Sequence, residues 1–280
     1  MRFVKQLFNF YLNSSIHVAL SVFSLTWITL IEFGVPYDKS LLYFVFFASI
    51  TGYNFVKYFG IAKFHHRSLT NWLKWIQIFS FFCFLFMCYY AFKLNAKTLI
   101  CIVGFAIVTF LYAIPFLPKR FFLDKQHNLR SIGGLKIYLI ALIWSGVTVL
   151  LPLINNDYGI NMDVILTAIQ RYLFVIVLML PFEIRDLRYD SLKLSTIPQR
   201  IGVKQTKIMG GILLLLYFFL AFFKSEKSGV QLIVLMMITC ITLLFLMFSK
   251  IEQGKNYSAF WVEGIPMVWL ILLFLFYELI

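Results

Sequence analysis

Charge is what this sequence has least of. Of its 280 residues only 13% are Asp, Glu, Lys or Arg, and just 12 of them are acidic. A water-soluble domain needs about a quarter of its residues charged, so a soluble globular protein is excluded. Cysteine is scarce as well. The four present, Cys83, Cys88, Cys101 and Cys240, fall within or at the edge of apolar blocks. They lack the spacing and companions of a zinc site or disulfide framework, and read as small buried hydrophobes. No linker or low-complexity tract interrupts the chain, which leaves 1–280 as one domain. The strand-like alternation of a lipid-facing barrel is missing too.

What is present is apolar and grouped. Hydrophobic residues make up 61% of the chain, and the mean hydropathy is +0.87. Nine blocks approach the ~20 residues that a helix needs to cross a bilayer: Ile16–Phe33, Leu41–Ile61, Trp72–Phe92, Thr98–Leu117, Leu135–Ile154, Val164–Phe182, Ile208–Phe223, Val230–Phe248 and Ala259–Ile280. Backbone in hydrocarbon must satisfy its own hydrogen bonds, so an all-α membrane protein of nine transmembrane helices is expected. The seventh block is short and is expected to extend toward Thr206. Met1–Tyr11 reads as a basic, aromatic interfacial segment rather than a cleavable signal.

The net charge of +13 raises the question of a nucleic-acid partner, and its distribution answers it. With alternating loops and a cytoplasmic N-terminus, only Lys39, Lys93, Lys97, Arg171, Lys224 and Lys227 fall on the outer side; every other Lys and Arg lies inside. That asymmetry is the positive-inside rule and sets the N-terminus in, the C-terminus out. No nucleic acid is needed to explain it.

The outer connections are short. Three inner ones, Lys63–Asn71, Pro118–Gly134 and Glu183–Lys207, are longer and more polar, so the chemistry is expected on the cytoplasmic face. The richest stretch runs from Pro181 to Asp190. If it is helical, Glu183, Asp186 and Asp190 fall within about 60° on one face. Their mutual repulsion would be relieved by a hard divalent cation such as Mg²⁺, held with phosphate oxygens. The alternative is a helix end whose acids pair locally with Arg185 and Arg188.

Asp186-x-x-x-Asp190 followed by Ser195–Gly202 resembles the second aspartate-rich motif and following loop of the UbiA family of intramembrane prenyltransferases. Leu111, Tyr112, Lys119, Arg120, the run Arg130–Lys136 and Trp144 agree with it. The resemblance implies nine helices, a cytoplasmic active site, and transfer of a prenyl group from a prenyl diphosphate to a lipophilic acceptor. It implies Asp186 and Asp190 as catalytic Mg²⁺ ligands with Glu183 assisting. It implies Asn54, Tyr112, Lys119, Arg120 and Lys136 as diphosphate-binding residues.

The sequence departs from the family at its first motif, Asn-x-x-x-Asp-x-x-x-Asp. Asn54 fits, but Tyr58 and Ala62 stand where the aspartates belong. One metal held by the remaining cluster then ionises the substrate, or the chain is a non-catalytic lipid-binding or scaffold protein of the same fold. Lys57 and Lys63, near the lost acids, either contact phosphate directly or snorkel to the interface. His65, His66 and Arg67 read as interfacial. Arg171 and Glu263, both inside apolar blocks, are functional candidates by location; snorkelling is equally open for both, and for Glu263 the cytoplasmic side also allows a cavity-lining role. The 33 Phe, 15 Tyr and 6 Trp would suit a carbocation, although most must face lipid or pack helices. A transporter is less favoured, because no pair of broken helices occurs in matching halves.

Overall fold

The structure, a computed structural model, describes residues 2–64, 71–113, 134–189, 195–225 and 228–278. These form eleven α-helices: α1 Arg2–Asn13, α2 Ile16–Glu32, α3 Lys39–Phe64, α4 Asn71–Ala91, α5 Ala96–Ala113, α6 Leu135–Ser145, α7 Leu151–Asn155, α8 Met162–Asp186, α9 Ile197–Leu220, α10 Gly229–Phe248 and α11 Ile265–Glu278. Each of the nine apolar blocks, over its described residues, falls mainly on helix. Among the described residues, six helices are long and apolar enough to cross a membrane, or seven if α1 and α2 form one bent span.

Polar side chains start the long helices where hydrophobicity alone would not. Asp38 Oδ1 accepts from Leu41 N at the head of α3, and Asn161 Oδ1 accepts from Val164 N at the head of α8, each satisfying an amide that the helix leaves unpaired. The seventh block begins earlier than its hydropathy indicates. α9 starts at Ile197, where Gln199 Oε1 accepts from Thr196 N at 3.0 Å and Pro198 sits in the first turn. Both are helix-start signals.

The helices close around α2 and α8. α2 packs on α3 and α11, α8 lies between α6 and α9, and α10 joins α9 to α11. Of its most apolar stretch, α8 buries 67% and α4 only 17%. α8 is therefore central, while α4 rests on α3 and turns its Phe81, Phe82 and Phe86 outward, as a lipid-facing helix does.

Two local distortions shape the bundle. α6 and α7 are one span interrupted by a π-helical turn, Gly146–Leu150. A methyl on Gly146 would lie 2.1 Å from Phe105 Cζ, so the missing side chain is what lets α5 seat an aromatic ring there. Gly202, at φ 79° and ψ 161°, breaks α9 after its first turn in a region nearly reserved for glycine. Nothing lies within 4 Å of the place where its Cβ would stand, so a substitution there strains the backbone alone. Gly202→Val is expected to lower stability by about 1–3 kcal/mol. Thermal unfolding of the purified chain in detergent measures it, and an unchanged midpoint would show that the break relaxes freely.

Candidate active site

The C-terminal end of α8 meets the beginnings of α6 and α9 at one end of the bundle. Glu183 is buried there, 2% exposed, and its Oε2 accepts from Ile197 N at 3.3 Å. A carboxylate at a helix N-terminus satisfies an orphan amide and complements the helix dipole, so Glu183 ties the end of α8 to the head of α9. Close by, a Cβ on Gly134 would lie 3.3 Å from Ser195 O. The start of α6, with the half-buried Lys136 in its first turn, therefore abuts the same junction.

Asp186 is the last residue of α8. Arg185 holds it through Nη2 at 2.7 Å and Nε at 2.8 Å, both to Oδ1, and Arg185 itself lies over the Phe182 ring. The chain then turns through 187–189. The helix expected to carry Glu183, Asp186 and Asp190 on one face ends at Asp186, Glu183 is directed at α9, and Asp190 lies outside the described residues. Arg188 reaches toward the α10–α11 connection. It donates to Ile251 O and Gln253 O, while Gln253 Nε2 donates to Pro181 O at 2.7 Å, so the α10–α11 connection is fastened to the end of α8.

The other wall comes from the elbow between α1 and α2, bent by 57° with Ser15 in the left-handed region at φ 63°. Asn54 supports this elbow from α3. Its Oδ1 accepts from Ser15 Oγ at 2.7 Å, and its Nδ2 donates to Ser14 O at 3.0 Å and Ser80 Oγ at 2.7 Å. Both amide hydrogens are thus engaged, and Asn54 is 3% exposed. The position of the first lost aspartate serves the same elbow. Tyr58 Oη donates to Asn13 O at 2.8 Å, and Lys57 Nζ donates to the same carbonyl at 3.1 Å. Two donors close a carbonyl that the end of α1 leaves unpaired.

Between these walls lies Glu263, at the end of a π-helical turn, Tyr257–Val262, that opens the last span. Lys57 and Arg185 are both within electrostatic reach of its carboxylate. The structure thereby places Glu263 beside the α8 end, which its sequence position had left open. His17 is a residue that the sequence does not single out. Its Nδ1 bonds Tyr11 Oη at 2.7 Å, its Nε2 bonds Phe260 O at 2.8 Å, and its ring stacks on Phe260. A histidine inside an apolar block was the available signal.

Arg171 is away from this site. It is buried, 2% exposed, with Nη1 donating to Leu25 O at 3.1 Å and Nη2 to Thr29 Oγ1 at 3.3 Å, so it does not snorkel. Trp144 Nε1 donates to Tyr53 Oη at 2.7 Å, joining the middle of the chain to α3. Lys119, Arg120, Arg130, His65, His66, Arg67 and Asp190 lie outside the described residues, as do the side chains of Lys63 and Tyr112. Among the described residues, no three His, Cys, Asp or Glu side chains come together as a metal cluster.

No family model and no curated protein matches the sequence. Solved structures do match the fold. The chain superposes with a TM-score of 0.59 and 14% identity on a UbiA homologue from Archaeoglobus fulgidus bound to GPP and Mg²⁺, covering 96% of this chain and 99% of that one. It superposes with a TM-score of 0.56 and 14% identity on a digeranylgeranylglyceryl phosphate synthase, covering 98% of each. The fold is UbiA-like over nearly its whole length.

Proposed function

We propose that the chain is an intramembrane prenyltransferase that moves a prenyl group from a prenyl diphosphate to a lipophilic, membrane-accessible acceptor. The observation that carries this reading is the near-complete fold match to a homologue bound to GPP and Mg²⁺, joined to Asp186 standing at the end of the central helix. The same reading takes nine spans, an inward N-terminus and a cytoplasmic site, in keeping with the distribution of Lys and Arg.

The residues at this end suit a Mg²⁺ bound mainly through substrate phosphate. Such a metal uses one or two carboxylates along with phosphate oxygens. Asp186 has one oxygen committed to Arg185 and a side chain 23% exposed, leaving Oδ2 to face a ligand, and Asp190 is the second carboxylate of the proposed pair. Glu183 assists by fixing the α8–α9 junction that presents them. Mg²⁺, when bound, would supply Lewis-acid charge to the departing diphosphate.

The chain's own contribution is positive charge placed where negative charge develops. As the allylic C–O bond breaks, its electron pair leaves with the diphosphate. Lys136, with Lys119 and Arg120, is assigned to those oxygens, and Tyr112 and Asn54 to the walls around them. Arg gives a planar fork for phosphate and Lys a point charge. The acceptor then bonds to the allylic carbon and loses a proton.

A second reading has its own support. Tyr58 and Lys57 spend their polar groups on Asn13 O, and the amide hydrogens of Asn54 go to Ser14 and Ser80. Where the family's first motif belongs, this chain has a structural bracket. A member that binds a prenyl lipid without ionising it is the alternative. Incubating the purified chain with radiolabelled prenyl diphosphates of several lengths decides between the two. Transfer predicts diphosphate release with Mg²⁺ and none in excess chelator; binding without release at any chain length selects the lipid-binding protein.

A further inference from the structure

The last span carries an acid that the reaction outlined above leaves unused. Glu263 follows the π-helical turn Tyr257–Val262, is desolvated by the surrounding bundle, and is nevertheless only half-buried. That combination belongs to a group lining an internal opening, not to one sealed in the core. Its backbone carbonyl accepts from Ser21 Oγ, whereas its carboxylate oxygens accept from none of the described residues. A desolvated carboxylate without donors is costly to keep, and π-helical turns are frequent at functional sites.

The backbone beneath this acid is held from α2. Besides the Ser21 bond, His17 Nε2 bonds Phe260 O at 2.8 Å. A carbonyl only accepts, so in the neutral ring Nε2 carries the hydrogen and Nδ1 accepts from Tyr11 Oη at 2.7 Å,. Both nitrogens are spent, which makes His17 a positioning residue and not a competing base. A methyl on Gly264 would lie 2.8 Å from Phe260 O and 3.5 Å from His17 Nε2. Glycine at that position is what lets the histidine close on the turn.

The charged and titratable groups facing Glu263 come from four elements. Lys57 of α3 and Arg185 of α8 lie within its electrostatic reach, as does Tyr11 of α1, and His17 of α2 packs against the neighbouring Gly264. Lys57 is bonded to Asn13 O and Arg185 to Asp186. The two cations thus balance the charge of Glu263 without occupying its oxygens.

We propose that Glu263 is the base that takes the proton from the acceptor, an inference that rests on the transferase reading. The acceptor's electron pair forms the bond to the allylic carbon, and the pair of the allylic C–O bond leaves with the diphosphate. The acceptor keeps the electrons of its broken bond to hydrogen, and the proton goes to the Glu263 carboxylate. The remaining acids at this end are otherwise engaged: Glu183 holds Ile197 N, and Asp186 and Asp190 are assigned to the metal.

The purified full chain, supplied with Mg²⁺, radiolabelled geranyl diphosphate and a total lipid extract of its native membranes, tests this. Labelled lipid and released diphosphate are counted separately. In Glu263→Gln the ratio of labelled lipid to released diphosphate is expected to fall about 100-fold, as water captures the cation in place of the acceptor. The acid limb of the pH–rate profile for transfer is expected to vanish in Glu263→Gln and to persist in a slower Glu263→Asp. A purely structural role would not separate the two variants in this way. If Glu263→Gln fails to fold, Glu263→Asp decides: slower transfer with the acid limb kept supports the assignment, and transfer at the wild-type rate overturns it. An unchanged ratio in folded Glu263→Gln overturns the base and leaves the transferase reading standing. No diphosphate release by the wild type overturns both.

Discussion

Asp186→Asn is expected to lower Mg²⁺-dependent diphosphate release by about 100-fold or more, the scale set by losing one principal stabiliser of developing charge. The substitution keeps the shape and one acceptor oxygen but removes the negative charge. Asn also cannot neutralise Arg185, whose Nε and Nη2 both converge on Asp186 Oδ1. The freed guanidinium is then drawn to Glu263, already within its electrostatic reach. Binding of the prenyl diphosphate is expected to weaken far less than turnover, because the surrounding cations are untouched. Comparing KM with kcat for the wild type and Asp186→Asn separates the two effects. Full activity in a variant lacking both Asp186 and Asp190 would remove the carboxylates from the mechanism.

Arg171→Leu carries the largest expected cost to stability, about 3–5 kcal/mol, the scale of breaking a buried, charge-assisted hydrogen-bond network. The guanidinium is in the interior of the bundle, stacked 5.1 Å from the centre of the Trp269 ring. It joins α8 to two points on α2, the two helices around which the others pack. Without it Leu25 O loses one of its donors and the Thr29 hydroxyl loses the group it accepts from, and Glu32 loses a cation within its electrostatic reach. Arg171→Lys is expected to recover only part of the loss, since an ammonium does not span both α2 acceptors as the planar fork does. Thermal unfolding in detergent of Arg171→Leu, Glu32→Gln and the double variant measures the coupling. A double variant as costly as the sum of the singles would show that the two charges act independently.

The helices were legible from the sequence because each apolar block approaches bilayer length, and the bilayer leaves such blocks no other backbone solution. Boundaries were less so. α9 begins at Ile197 rather than near Ile208 because Gln199, Arg200, Lys204 and Gln205 are helical but too polar to register as a span. The π-helical turns were not legible, since Gly146 yields to a Phe105 ring from another helix and that contact has no local signature. The UbiA-like fold was legible in Asp186, Asp190 and the residues after them. Asn54, singled out by its resemblance to a motif letter, fastens the α1–α2 elbow, a role that no spacing in the sequence announces. Arg171 could not be placed from its own span because its partners come from α2, more than a hundred positions earlier. Local pairing of an acid at the end of α8 was foreseen for Arg185 and holds there, while Arg188 was taken by the α10–α11 connection.

The double capping of Asn13 O also bears on any attempt to rebuild the missing motif by engineering. Tyr58→Asp would restore the family's letter at that position and simultaneously withdraw a donor from α1, setting a carboxylate against the carbonyl it now serves. The graft is therefore a two-body problem: the acid becomes useful only if the amphipathic N-terminal helix is re-anchored elsewhere. Designs that shorten α1 or give Asn13 O a donor from α4 would release Tyr58 from that duty before asking it for another.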